Sequence, residues 1–140
     1  MKNCPTFLRK VGQFFLIRQV KLMIKAEFGI IENFDEKRDY TGYCPKKYHC
    51  VAIDDDLYLN GWWEALSRID TLNVYTKGVL QPQKALSRWG ITIIPPSSLP
   101  ALLEIVLSDK RSKKDKRLIA FAGKIRQAIV ENKYMIHYGV

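Results

Sequence analysis

The chain is poor in the residues that usually betray chemistry. Its 140 residues include two histidines and three cysteines. An odd number of cysteines argues against a disulfide framework and fits a reducing cytosol. Acidic residues are also scarce, 14 against 23 Lys and Arg, which leaves a formal net charge of +9. No apolar run approaches the roughly 20 residues of a membrane-spanning helix. The opening, with Lys2, Arg9 and Lys10 ahead of Phe14, Phe15, Leu16 and Ile17, imitates a signal peptide, but Arg18, Lys21 and Lys25 cut the apolar stretch short. Phosphate loop, dinucleotide fingerprint, nucleophile elbow and H-E-x-x-H are all absent. These absences set the first expectation: a cytoplasmic binding protein without a cofactor, not an enzyme and not embedded in a membrane.

What is present suits one ordinary domain spanning residues 1–140. A 47% hydrophobic share beside 26% charged residues is globular composition, and the length suffices for a core without metal or disulfide staples. Phe7, Leu8, Val11, Phe14 and Phe15 recur at helical spacing. Val20, Leu22, Ile24, Ala26 and Phe28 then alternate with mostly polar residues, the period of a strand with one buried face. Residues 32–47 read as a connection, and Tyr48 to Ile53 as a second strand. Asp54, Asp55 and Asp56 punctuate the chain, and Asn60 is placed to cap a helix burying Trp62, Trp63, Leu66 and Ile69 and ending near Leu72. Pro82 is placed to open a further helix through Ala85, Leu86 and Trp89, closed by Gly90.

Ile91 to Ile94 reads as a short strand stopped by Pro95 and Pro96. Ser98 reads as the cap of a helix with Leu99, Leu102, Leu103 and Val106 inward. A last helix carries the stripe Leu118, Ala122, Ile125, Ile129 and Val130. The fold class expected is α+β, a small sheet covered by several helices.

Five groups could carry function. Cys44, His49 and Cys50 are soft ligands close in sequence, but a structural zinc site wants four, and buried cysteines commonly serve as small hydrophobes. His49 and His137 could form an acid and base pair, although their spacing carries no information. The three aspartates could hold magnesium, yet consecutive aspartates after a strand are first of all a turn or cap. That leaves binding candidates. Lys110, Arg111, Lys113, Lys114, Lys116 and Arg117 form a basic run suited to an acidic partner, its plain alternative being a solvated helix entry. Trp62 and Trp63 are adjacent, so a narrow helical stripe cannot bury both equally, and the more exposed one could anchor a partner, its plain alternative being a wide apolar face that packs both into the core.

The stretch Asn60-Gly61-Trp62-Trp63-Glu64-Ala65-Leu66, with the later run from Ala85 through Gly90-Ile91-Thr92-Ile93-Ile94-Pro95-Pro96-Ser97-Ser98-Leu99, resembles small bacterial immunity proteins that accompany contact-dependent or polymorphic toxins. Ser97 stands where that pattern carries glutamate. The resemblance covers the central third to half of the chain and describes a helix, strand and capped helix rather than a chemical site. It implies a cytoplasmic inhibitor that binds one cognate toxin domain, and it transfers no catalytic residues. A basic surface would steer association with a toxin presenting an acidic face. Nucleic acid is the alternative acidic partner.

Overall fold

Alternation builds the first strand. The computed structural model describes residues 25–75 and 79–139; the helix expected around Phe7 to Phe15 and the start of the first strand lie outside them. In β1 (Lys25–Ile31) Ala26, Phe28 and Ile30 enter one core while Ile31 joins another on the opposite face. After a long irregular stretch come β2 (Val51–Asp54), a single π turn over Asp55–Leu59, and α1 (Asn60–Leu66). Then follow β3 (Asp70–Val74), β4 (Leu80–Lys84), β5 (Ile91–Ile94), α2 (Leu99–Ser108), α3 (Lys116–Glu131) and β6 (Tyr134–Tyr138). The fold class is α+β, as the sequence indicates: one six-stranded sheet of order β2-β1-β6-β5-β3-β4, with every pairing antiparallel.

Among the described residues, three helices cover one face. Trp62 and Leu66 of α1, Leu99, Leu102 and Val106 of α2, and Leu118, Phe121, Ala122, Ile125 and Ala128 of α3 meet Ala26, Phe28, Ile53, Ile94 and Met135 in a continuous core. Each fully buried Leu, Ile or Phe there contributes roughly 1.5–3 kcal/mol. The other face is covered by residues 32–50, which lay Tyr40 and Tyr48 over Ile31, Ile91, Ile93, Ile136 and Tyr138. One row of the helix-side face runs through the register from Val51 to Phe28, His137, Thr92, Asn73 and Gln81. It changes from apolar to polar at His137.

Several local expectations are corrected. The cap before α1 is Asp54, whose carboxylate accepts the N–H groups of Asp56 at 2.9 Å and Leu57 at 3.3 Å, and not Asn60. The helix stops at Leu66, short of Leu72, because the chain turns at Ser67, whose hydroxyl donates to the Glu64 carbonyl; Leu72 then serves β3. Pro82 opens no helix. It sits in edge strand β4 opposite Leu72, where a missing N–H is tolerated, and Ala85 has φ of 73°, a left-handed conformation that no α-helix accepts.

Ser98 does precede α2, but its hydroxyl donates to the Asp70 carbonyl and caps nothing. In α3 Phe121 and Ala128 are buried, whereas Val130 is 84% exposed and leaves the predicted inner stripe. Asn132, left-handed at φ 56°, closes that helix by donating to the carbonyls of Ala128 and Ile129. The sequence reading placed no strand at β6, although it pairs with both β1 and β5.

Candidate binding surface

The six basic residues of 110–117 do not share one environment. Asp109 starts a 3-10 turn over Lys110–Lys113 by accepting the Arg111 N–H. The same carboxylate takes the Arg111 guanidinium in a two-pronged pair, Nε to Oδ1 at 2.9 Å and Nη2 to Oδ2 at 2.7 Å. Trp62 Nε1 donates to Asp109 at 2.9 Å. The Arg111 hydrogen bonds, joined by that indole, hold the Asp109 carboxyl well below the usual carboxylate range. Arg111 also lies 4.8 Å from the Tyr58 ring centre, and the Tyr58 hydroxyl donates to Asp115, which caps α3 by accepting the Arg117 N–H. Trp62, Asp109, Arg111, Tyr58 and Asp115 therefore form one clamp between α1 and the entry to α3.

Arg111 belongs to that clamp. Lys110, Lys113, Lys114, Lys116 and Arg117 are exposed around it, on a backbone fixed by caps at both ends of the turn. Charge is concentrated here: between Asp109 and Arg126 eight Lys or Arg face two Asp, whereas residues 25–108 carry nine Lys or Arg against eleven Asp or Glu. The positive field of the described residues is thus local to the α2–α3 end.

The two tryptophans differ as their adjacency requires. Trp62 is buried, stacked on Tyr58 and Phe121 at centroid distances of 5.9 and 6.3 Å. Trp63 is half-buried, packed against the core beneath the Arg88 guanidinium, which lies 5.0 Å from its ring centre. Neither is a free anchor. The exposed indole is Trp89, at 52%, a residue that the sequence placed within a helix. Arg88 also donates to Asn60 Oδ1 at 2.9 Å and lies 3.5 Å from Asp55. Burial pushes the Asp55 carboxyl up, with Arg88 acting against that shift. The three aspartates thus act as cap, buried ion-pair partner and exposed turn residue.

The remaining sets do not assemble. Among the described residues no group of three or more His, Cys, Asp or Glu could hold a metal ion. Cys44 is disulfide-bonded and Cys50 is a free thiol, so the inference drawn from an odd cysteine count is corrected by pairing at Cys44. His49 is exposed in a turn at φ 52°. His137 is wholly buried on the helix side of the sheet, 4.8 Å from the Phe28 ring centre, with neither ring nitrogen hydrogen-bonded. Burial lowers its pKa to about 3. The two imidazoles therefore share no site.

What the sequence missed is apolar: Leu107 and Ile119 are exposed by 43 and 49% beside the basic turn, and Val130 by 84% at the far end of α3. An exposed apolar position opposite the helical stripe is the signal that could have found them, but the stripe was drawn through Val130. No helix of the described residues is long and apolar enough to cross a membrane. No protein-family model, curated protein or solved structure matches the chain.

Proposed function

We propose that this protein is a non-catalytic inhibitor of the immunity type, which neutralises one toxin domain in the cytoplasm by forming a tight complex with an acidic face of that toxin. The observation supporting this reading is the rigid basic ridge: five exposed cations at 110, 113, 114, 116 and 117 surround a turn fixed by Asp109 and Asp115. Cations clustered on a fixed backbone steer encounter with an acidic surface. The resemblance over Asn60 to Leu66 and Ala85 to Leu99 points the same way.

The same cations suit a phosphate backbone, so nucleic acid is the second reading. Both are tested by one experiment under reducing conditions: pull-down of the tagged chain from its host after nuclease treatment at moderate salt. Stoichiometric retention of one toxin-domain polypeptide is expected. Retention of nucleic acid alone before nuclease treatment, falling steeply with salt, would replace the inhibitor with the second reading.

A further inference from the structure

Beside the basic ridge lies an apolar groove that the fold leaves open. Pro100, Leu103 and Leu107 of α2 form one wall and Ile129 of α3 the other, with Glu104 on the rim. At 100° per residue, Ile119, Arg126 and Val130 fall within about 40° of one another on α3, on the flank adjoining Ile129. Leu107, Ile119 and Val130 all meet solvent. Three exposed aliphatic residues along a helix pair are more than the scattered single ones of an ordinary surface.

From the groove and its charges we infer that α2, α3 and the basic turn form one docking surface for an acidic amphipathic helix of a protein partner. This rests on, and narrows, the inhibitor reading: it names what the partner brings. The groove follows helices of ten and sixteen residues, roughly 15 and 24 Å long, which accommodates two to three turns of a partner helix with apolar residues at i, i+3 or i+4, and i+7.

Charge complementarity selects that helix. Lys110, Lys113 and Lys114 stand at one end and Arg126 on the α3 flank, all exposed, while the nearby Asp109 is already neutralised by Arg111. Acidic residues flanking the apolar ridge of the partner would meet these cations. Nucleic acid has no use for aliphatic walls: bases stack on aromatic rings, and the exposed Trp89 lies on the turn between β4 and β5 beside Arg88, not in this groove. A bilayer engages a continuous apolar face, whereas this one is interrupted by Glu104.

The test uses the full chain and a labelled helical peptide of about 14 residues, with leucines at i, i+3 and i+7 and glutamates elsewhere. The comparisons are a scrambled peptide of equal composition, anionic phosphatidylserine vesicles and a DNA oligonucleotide. The ordered peptide is expected to bind in preference to all three, and Val130→Glu or Leu107→Glu to weaken it about tenfold or more. Val130 is exposed enough that its variant keeps the fold, which circular dichroism checks. Equal binding of the scrambled peptide, or unchanged affinity in Val130→Glu, would overturn the groove; stronger binding to vesicles or DNA would assign the surface to lipid or nucleic acid instead.

The peptide assay needs no toxin. Peptide bound by the groove with no polypeptide captured from the host would sink the inhibitor reading alone, and capture undiminished by Val130→Glu would sink the groove alone.

Discussion

The two faces of the sheet are covered in different ways, by helices on one side and by an irregular segment on the other. Helices satisfy their own backbone, so the helix side is filled mainly by Ala, Ile, Leu, Phe and Met, with Tyr58 and Trp62 sending polar tips to Asp115 and Asp109 at its margin. Residues 32–50 leave N–H and C=O groups that require partners, and tyrosines supply them. The Tyr138 hydroxyl accepts the Cys44 N–H and donates to the Gly42 carbonyl. The Tyr40 hydroxyl accepts the Asp35 N–H, and Tyr43 donates to Glu27. An aromatic ring with a polar tip can bury area and close a loop at once. Aliphatic side chains cannot.

The faces therefore fail at opposite ends of the pH scale. On the helix side His137 has a folded pKa of about 3 against an ordinary 6.5, so the unfolded chain binds the extra proton. Its contribution is fully present above pH 6.5 and falls by about 1.4 kcal/mol per unit as pH drops towards 3. On the loop side burial pushes the Tyr48 hydroxyl and the Cys50 thiol each up to about 12, from 10.0 and 9.0, and raises Tyr43 and Tyr138 as well. Those contributions are complete below pH 9 and are lost as pH rises through 12.

The largest expected effect is at His137. Relative to His137→Phe, the native chain should lose about 3 kcal/mol between pH 7 and pH 4 in urea unfolding; a constant difference between the two chains would mean that the imidazole is neither buried nor unpartnered. Next comes Gly29, where β1 meets the covering segment. A Cβ there would lie 2.6 Å from Tyr48 Cβ and 2.7 Å from Cys50 Sγ, so Gly29→Ala should cost about 2 kcal/mol. An unchanged melting temperature would mean that the segment yields easily. The smallest is Tyr138→Phe, expected to cost about 1 kcal/mol at neutral pH for the two lost hydrogen bonds. Above pH 10 its deficit should shrink, because the variant has one hydroxyl fewer to ionise, and a deficit that widens in alkali would contradict the assignment.

How far the sequence could be read follows from the same contrast. β1, α2 and the core of α3 were legible because each announces a period, and β5, buried on both faces, because Gly90 and the pair Pro95 and Pro96 bound a short apolar run. β6 was not, since Met135, Ile136, His137 and Tyr138 are all buried and carry no alternation. β4 was hidden by Pro82, which helices admit at their start and sheets only at an edge. At the binding surface the charge of 110–117 was plain, but sorting Arg111 from its neighbours depends on Asp109 and Tyr58, the latter more than 50 positions away. The exposed apolar flank of α3 was invisible because Val130 lies only two positions beyond the buried Ala128, a displacement that a hydrophobic stripe does not resolve.

The placement of β6 also fixes when the molecule can exist. It is the last of the six strands to leave the ribosome, yet it lies between β1 and β5 and joins β2-β1 to β5-β3-β4. Without β6 neither β1 nor β5 has its partner on that side, and both edges would be open to other strands. A chain that ends before Tyr134 has no means of closing them.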